Sequence, residues 1–231
     1  MRVIFFDVDG TLLDDETAIA RGLDALHASY GATLGLGRDA LGHQWQQSLE
    51  RHFPRFLAGE ISMDEQRRAR MRDLFGSVTT AERCDEAFAV YLAAYENAWA
   101  PYDDVHNTLD RLSNRRLGVI TNGNNEQQRK KLERTGLAPR FSVVVTSGEC
   151  GFAKPDRRIF MEACRRADVD PRRASFIGDD WAKDVVGSRE AGLQPIWLRR
   201  EPSAAPPVLP GVRVIETLHE LGAVLAAEPL A

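Results

Sequence analysis

Six short runs of β-branched and aromatic residues constrain the fold of this chain most strongly. Each run is too short for a helix and is apolar at successive positions, which is typical of strands covered on both faces. Helix-like stretches separate most of the runs, and this alternation predicts a mostly parallel sheet flanked by helices, an α/β fold. The predicted strands are 3–6, 117–121, 141–145, 174–177, 195–198 and 212–215.

The segment 15–100 departs from this pattern. It has almost no β-branched run, and its apolar residues recur at helical spacing, as in the stretch 85–95. The glycine-rich stretch 31–42, Phe53–Pro54 and Gly76–Ser77 are expected to divide it into about four helices. The sequence therefore predicts an α/β core formed by 1–14 and 101–231, interrupted after its first strand by a helical insert, 15–100.

Charge and cysteine content limit the class of protein. The 231 residues include 34 acidic and 30 basic side chains, a net charge of -4, which argues against a protein that binds nucleic-acid phosphates. No apolar run approaches the length of a membrane span. The three cysteines lack metal-ligand spacing and are interpreted as free thiols in a reducing compartment. We expect a soluble cytoplasmic protein, a monomer or homodimer, that binds neither nucleic acid nor membrane.

Polar residues follow four of the predicted strands at their carboxyl ends, where ligands bind in open parallel sheets. Taken singly, each is more often a turn or cap residue. Together, several carboxylates converge with one ammonium group and one hydroxyl group, and the carboxylates would repel one another unless a cation lay between them. Hard oxygen ligands favour Mg²⁺. The residues concerned are Asp7, Asp9, Thr121, Asn122, Lys154, Asp179, Asp180 and Asp184.

Four motifs in this order resemble the pattern of the haloacid dehalogenase-like hydrolase superfamily. They are Asp7-Val8-Asp9-Gly10-Thr11-Leu12, Thr121-Asn122-Gly123, Lys154-Pro155, and Gly178-Asp179-Asp180 with Asp184. The resemblance covers essentially the whole chain and implies a Rossmann-like core, with the insert as a helical-bundle cap domain. The second half of the chain is most similar to the branch of nucleoside monophosphate and sugar-phosphate phosphatases. The resemblance therefore implies a Mg²⁺-dependent phosphatase acting on a small phosphorylated metabolite.

The resemblance also implies roles for individual residues. Asp7 is the expected nucleophile, and Asp9 is the expected acid and base. Lys154, Thr121 and Asn122 are expected to bind the phosphoryl group, with Lys154 also pairing with Asp7. The expected metal ligands are Asp7, Asp179 and the backbone carbonyl of Asp9. Asp184 and Asp180 are expected to support these ligands from outside the direct coordination of the metal.

Three other functions stay open at this point. A 2-haloacid dehalogenase does not need the second carboxylate, because halide leaves without a proton, so Asp9 favours phosphate. A phosphosugar mutase shares both acids and differs in returning the phosphoryl group to its substrate. A non-catalytic phospho-accepting domain also gathers acids, a threonine and a lysine, but is shorter and lacks a large insert. The basic stretch 129–131 is interpreted as an exposed helix face.

Overall fold

The protein consists of two compact units, each described here by itself. The structure is a computed structural model that describes residues 2–200 and 209–226. The core unit comprises Met1–Asp14 and Pro101–Ala231, and the helical unit comprises Asp15–Ala100. Within the described residues, no helix is both long enough and apolar enough to cross a membrane.

The core unit is built on a six-stranded sheet in which every neighbouring pair of strands is parallel. The order across the sheet is β3-β2-β1-β4-β5-β6, so the first strand lies at the centre. This confirms the predicted α/β class with a parallel sheet. The strands are β1 (Val3–Phe6), β2 (Arg116–Thr121), β3 (Val143–Thr146), β4 (Ala174–Gly178), β5 (Gln194–Leu198) and β6 (Arg213–Ile215).

The sheet is covered on both faces because its strands are apolar at successive positions. Alternate side chains of a strand point to opposite faces, and β1 shows this directly. Ile4 and Phe6 belong to one buried cluster, and Val3 and Phe5 belong to another. All four residues are at most 2% exposed. A central strand buried in this way fixes the position of whatever follows it, and Asp7 is the next residue.

The helical unit contains four helices, as the sequence predicted for this segment. They are α1 (Asp15–Leu34), α2 (Arg38–Leu57), α3 (Met63–Phe75) and α4 (Ala81–Asn97). Helix α1 packs against α4, and α3 packs against both α2 and α4. Their buried faces meet in one hydrophobic cluster around Trp45, Met71, Phe88 and Tyr91.

One predicted break within this unit is wrong. Pro54 lies inside α2, which continues to Leu57. Proline cannot donate the helical hydrogen bond, but only one turn of helix follows it, so little regular structure is lost. The chain leaves the helix at Ala58, whose backbone N–H donates to the carbonyl oxygen of Pro54 at 2.9 Å. The next helix begins after a capping box formed by Ser62 and Glu65.

The helices of the core unit connect and flank the strands. They are α5 (Val105–Arg111), α6 (Asn125–Arg134), α7 (Ser147–Cys150), α8 (Arg157–Arg166), α9 (Gly187–Glu190) and α10 (Leu221–Ala226). A π-helical turn, Trp181–Val186, precedes α9, and 3₁₀ turns occur at Ala138–Arg140, Pro171–Arg173 and Leu218–Glu220. Helix α6 follows β2 directly, and the π-helical turn follows β4, so both begin beside the carboxyl end of β1.

Candidate active site

The loop after β1 carries the first two predicted site residues. The backbone N–H of Asp7 donates to the carbonyl oxygen of Ile177 on β4 at 2.9 Å, so Asp7 is held as a continuation of the sheet. The chain then turns at Gly10, which has a φ of 79°. A Cβ atom on Gly10 would lie 2.5 Å from Oδ2 of Asp179. Glycine therefore allows both the turn and the close approach of the Asp179 carboxylate, whose Oδ1 accepts a hydrogen bond from Thr11 Oγ1 at 2.9 Å.

Lys154 lies between two buried carboxylates. Its Nζ is 2.7 Å from Oδ1 of Asp7 and 2.6 Å from Oδ1 of Asp184. Burial opposes the charged ammonium, but the charges of Asp184 and Asp7 outweigh it and raise the pKa of Lys154. Asp184 is also buried, which raises its pKa against the opposing effect of Lys154. The Oδ2 atom of Asp184 accepts a hydrogen bond from the backbone N–H of Asp180 at 3.0 Å. The carboxylate that pairs with Lys154 is therefore itself fixed in position.

Three of the predicted acids form a group that fits a divalent cation. Carboxylate oxygens of Asp7, Asp179 and Asp184 lie within 4.8 Å of one another. Burial raises the pKa of Asp7 to about 6, with the charge of Asp184 adding to the increase and Lys154 opposing it. Burial also raises the pKa of Asp179 to about 6, and the charge of Asp7 contributes. Crowded carboxylates of this kind repel one another, and a hard divalent cation such as Mg²⁺ would relieve that repulsion.

The residues at the end of β2 lie beside the same edge of the sheet. Thr121 is 1% exposed and is the last residue of a strand that pairs directly with β1. The side chain of Asn122 is joined to the backbone of Lys154. Its Oδ1 accepts from the Lys154 N–H at 2.7 Å, and its Nδ2 donates to the Lys154 carbonyl oxygen at 3.0 Å. The amide of Asn122 therefore fixes the segment that presents the lysine.

The second acid of the opening pair is turned toward α6. Gln128 Nε2 donates to Oδ2 of Asp9 at 2.9 Å, and Lys131 Nζ lies 2.5 Å from Oδ1 of the same carboxylate. Lys131 is 1% exposed, so the interpretation of 129–131 as an exposed helix face is wrong at this position. The physical reason is the ion pair, since a buried ammonium needs an opposite charge. Lys130, its neighbour, is exposed.

Asp180 acts at the start of the π-helical turn. Its Oδ1 accepts from the backbone N–H of Lys183 at 2.8 Å, and its Oδ2 lies 2.5 Å from Lys183 Nζ. Despite partial burial, these bonds lower the pKa of Asp180. Trp197 on β5 adds a further contact by donating its indole N–H to the carbonyl oxygen of Asp179 at 2.8 Å. Asp180 and Trp197 thus fix the backbone on either side of the Asp179 carboxylate.

Most of the predicted site residues therefore meet at one edge of the sheet. The buried group consists of Asp7, Lys154, Asp179 and Asp184. Asp9 lies two residues after Asp7, and its carboxylate is bonded by side chains of α6. Gln128 and Lys131 were not predicted as site residues. A signal was present, because Leu132 is the one apolar residue of α6 and therefore marks its buried face. Gln128 lies four residues before Leu132 and three before Lys131, so the three residues lie along one side of the helix.

The fold and this site define the chain as a member of a known class of hydrolases. Residues 1–192 match the haloacid dehalogenase-like hydrolases, and the protein belongs to that family of enzymes. The resemblance inferred from the four motifs is therefore confirmed.

Similar proteins of known name include several phosphatases. The chain is 31% identical over 209 residues to glyceraldehyde 3-phosphate phosphatase from Methanothermobacter thermautotrophicus, covering 87% of each protein. It is 43% identical over 95 residues to phosphoserine phosphatase from Thermus thermophilus. That match covers 39% of this chain and only 38% of the relative.

Solved structures extend the comparison over nearly the whole chain. The HAD-hydrolase YfnB from Bacillus subtilis, solved with bound magnesium, matches with a TM-score of 0.78 at 26% identity, covering 97% of this chain and 98% of that chain. A 2-haloacid dehalogenase from Pseudomonas syringae matches with a TM-score of 0.73 at 30% identity, covering 98% of each chain. Proteins named as phosphatases and a protein named as a dehalogenase thus both occur among those that this chain resembles.

Proposed function

We propose that the protein is a Mg²⁺-dependent phosphomonoester hydrolase that acts on a small soluble phosphate, a nucleoside monophosphate or a sugar phosphate, through an aspartyl phosphate on Asp7. One observation carries the proposal. The Asp7 carboxylate lies at the carboxyl end of the central strand, 2.7 Å from a buried ammonium and within a group of acids suited to Mg²⁺. A second acid, Asp9, follows on the same loop. The relatives named as phosphatases support the same reaction.

In the first half-reaction, an Asp7 oxygen attacks phosphorus, the bond between phosphorus and the ester oxygen breaks, and Asp9 gives a proton to the departing alcohol. Lys154 and the Thr121 hydroxyl are placed to neutralise phosphoryl oxygens, which is the main requirement of phosphoryl transfer. Asp7, Asp179 and the backbone carbonyl of Asp9 would hold Mg²⁺. When bound, the ion supplies positive charge for the transferring group.

In the second half-reaction, water attacks the phosphorus of the aspartyl phosphate. Asp9 accepts a proton from that water, inorganic phosphate leaves, and the Asp7 carboxylate is restored. One carboxylate thus serves both half-reactions in opposite senses. Asp184 keeps Lys154 in place throughout, because it accepts a hydrogen bond from the ammonium at 2.6 Å. We assign Asn122 a positioning role as well, because its side-chain amide hydrogen-bonds both the backbone N–H and the backbone carbonyl oxygen of Lys154.

Asp9 also separates this proposal from dehalogenation. Halide departs without a proton, so a dehalogenase has no need of a second acid held by two donors beside the nucleophile. In this chain, Gln128 and Lys131 both bond Asp9. The mutase alternative differs only in the fate of the phosphoryl group, so it is separated by product analysis.

A substrate panel tests the proposal. Nucleoside monophosphates, sugar phosphates and a 2-haloacid are incubated with the protein, with and without Mg²⁺, and inorganic phosphate and halide are measured. We expect net phosphate release that requires Mg²⁺ and is lost in Asp7→Asn, with the circular dichroism spectrum unchanged. Halide release without phosphate release would indicate the dehalogenase, and phosphoryl transfer to a second sugar without net phosphate would indicate the mutase. Substantial Mg²⁺-dependent turnover by Asp7→Asn would rule out Asp7 as nucleophile.

A further inference from the structure

The helical unit contains a buried arginine without a carboxylate partner. Arg70 on α3 is 6% exposed, and its Nε has no hydrogen-bond partner. Within the described residues no carboxylate pairs with it, and apart from burial the groups that act on its pKa are Tyr91, Tyr95 and Arg67. Other arginines of the same helix have hydrogen-bond partners. Arg68 bonds Asp85 at 2.8 and 2.7 Å, and Arg72 donates to the carbonyl oxygen of Thr79 at 3.3 Å. Arg70 is thus a largely buried cation with no carboxylate partner, and its Nε has no acceptor.

An aromatic contact explains only part of this arrangement. The guanidinium carbon of Arg70 lies 3.8 Å from the ring centroid of Trp45 and 6.0 Å from that of Phe88. A ring face attracts the positive charge, but the N–H groups of a guanidinium lie in its own plane and still need acceptors. Burial lowers the pKa of Arg70 to about 10, which leaves the group charged at neutral pH. The stack therefore accommodates the cation without satisfying its donors.

Among the other buried side-chain nitrogens of this unit that lack a hydrogen-bond partner, two belong to residues beside Arg70. Trp45 is 1% exposed and Gln66 is 2% exposed, and neither the indole Nε1 nor the amide Nε2 has a hydrogen-bond partner. Gln66 precedes Arg70 by one helical turn, and Trp45 contacts Arg70 directly. Asp73, an acid of the same helix, is already bonded to Ser48 and to His52. Buried polar groups in folded proteins nearly always have partners, so three enclosed donors with no acceptor indicate a missing ligand.

We propose that the helical unit binds a small anion at Arg70, with Trp45 and Gln66 as further donors. The ligand group is a carboxylate or a phosphate, because a planar fork of N–H donors matches their oxygens in pairs. The proposal goes beyond the phosphatase reaction, since it uses none of the residues assigned to that chemistry. The anion has two possible sources, a second charged group on the substrate and a separate small effector, and both present the same chemistry to Arg70.

Nuclear magnetic resonance of the indole N–H groups tests the site without relying on turnover. The four tryptophans give four such signals, assigned by single Trp→Phe variants. The ¹⁵N-labelled protein is titrated in Mg²⁺-free buffer with acetate and, separately, with inorganic phosphate. We expect a saturable shift of the Trp45 signal with at least one anion. Trp197, which bonds the Asp179 carbonyl, reports on the core unit, so phosphate that binds only there moves Trp197 and leaves Trp45 unchanged.

Matched arginine variants decide whether Arg70 is responsible. Arg70→Met removes the charge but keeps an apolar contact for Trp45, and it should abolish the Trp45 shift. Arg83→Met is the control, because Arg83 also lies over an aromatic ring, 4.8 Å from the centroid of Tyr30, but has Glu86 as a partner at 3.6 Å. If Arg70→Met does not fold, Arg70→Lys keeps the charge without the fork and should bind about tenfold more weakly. No shift of Trp45 with either anion, or an equal shift in a folded Arg70 variant, would overturn the proposal.

Kinetics then identify the source of the anion, and this arm depends on the phosphatase proposal. Phosphoglycolate and 2-hydroxyethyl phosphate, which keeps the phosphate but has a hydroxyl group in place of the carboxylate, are compared in wild type and Arg70→Met. A loss of kcat/KM of about tenfold or more on phosphoglycolate alone assigns the anion to the substrate. If Arg70→Met changes kcat/KM by the same factor on both substrates, and also abolishes the Trp45 shift, the anion is a separate effector. Both outcomes support the site, and the absence of the Trp45 shift overturns it even where phosphatase activity is present.

Discussion

Replacement of Lys131 by methionine would remove the ammonium that lies 2.5 Å from Oδ1 of Asp9. The side chain of Lys131 is only 2% exposed, and methionine can fill a similar volume. Gln128 would still bond the other oxygen of Asp9 at 2.9 Å. The change therefore removes this ion pair from Asp9 and leaves the side chains of Asp7, Lys154 and Asp179 unchanged. If Lys131 positions Asp9, proton transfer to the leaving group should suffer selectively.

The expected size of the effect follows from this geometry. General acid–base catalysis contributes roughly 10²- to 10⁴-fold, and loss of the Lys131 contact to Asp9 should remove part of it. We expect kcat/KM for an alkyl phosphate to fall about 10- to 100-fold. The Asp9 side chain is 29% exposed, so water can solvate the oxygen that loses its partner. The free energy of unfolding should therefore change by only about 1 kcal/mol.

Two substrates with different leaving groups provide the assay. An alkoxide needs a proton to depart, whereas p-nitrophenolate is stable as an anion. Since kcat/KM reports only steps up to the release of the alcohol, it isolates the first half-reaction. Lys131→Met should lower kcat/KM on the alkyl phosphate and change it less than about threefold on p-nitrophenyl phosphate. Asp9→Asn should show the same contrast more strongly, and Lys130→Met, at the exposed neighbouring position, should show none. Equal losses on both substrates would refute the positioning role and indicate a structural one.

Three further predictions concern the metal-binding acids and the segment that holds Lys154. The pKa values of Asp7 and Asp179 are raised to about 6 in the folded protein, above their values in the unfolded chain. Lowering the pH from about 6 toward 4 should therefore stabilise the Mg²⁺-free fold through this pair, yet weaken Mg²⁺ binding about tenfold per pH unit for each proton displaced. Thermal unfolding and calorimetric titration with Mg²⁺ at about pH 5 and about pH 7.5 check both signs, and pH-independent Mg²⁺ affinity would contradict the reasoning. Gly10→Ala should weaken Mg²⁺ binding at least about tenfold and destabilise the fold by about 1–2 kcal/mol, because φ is 79° and the new Cβ would lie 2.5 Å from the Asp179 carboxylate. The same two measurements test it, and wild-type values for both would be incompatible with the close approach. Asn122→Ala should lower kcat about tenfold and the free energy of unfolding by about 1–3 kcal/mol, because both bonds to the Lys154 backbone are lost. Steady-state kinetics and denaturant unfolding measure these effects, and an unchanged kcat would show that the amide does not position the lysine.

The sheet could be predicted from the sequence because its strands are buried on both faces. Such strands are continuously apolar, and β1 is found at the predicted residues, Val3–Phe6. The bounds of the third strand were predicted less accurately, as 141–145. It begins at Val143, because Phe141 ends a 3₁₀ turn, and it continues to Thr146, whose hydroxyl caps the next helix. Polar residues with a second local role are invisible to a hydrophobic pattern.

The site was predictable only in part, for a related reason. Asp7 and Asp179 directly follow apolar strands, so the ends of the apolar runs were sufficient to find them, whereas Lys154 lies in the segment that follows β3 and α7. The ion pair between Asp9 and Lys131 joins residues 122 positions apart in the chain. Its existence depends on the angle at which α6 leaves β2, which no local pattern encodes. The unpartnered state of Arg70 likewise depends on packing among α2, α3 and α4.

Chemical trapping of the covalent intermediate is the most direct test of Asp7 as the nucleophile. The protein is mixed with Mg²⁺ and a radiolabelled phosphomonoester from the substrate panel, quenched in acid within the first turnover, and digested for peptide mapping by mass. We expect one phosphoryl group on the peptide that contains Asp7, lost on chase with unlabelled substrate and absent from Asp7→Asn. Phosphate release in the wild type without any labelled Asp7 peptide, or with a label on another residue, would contradict it.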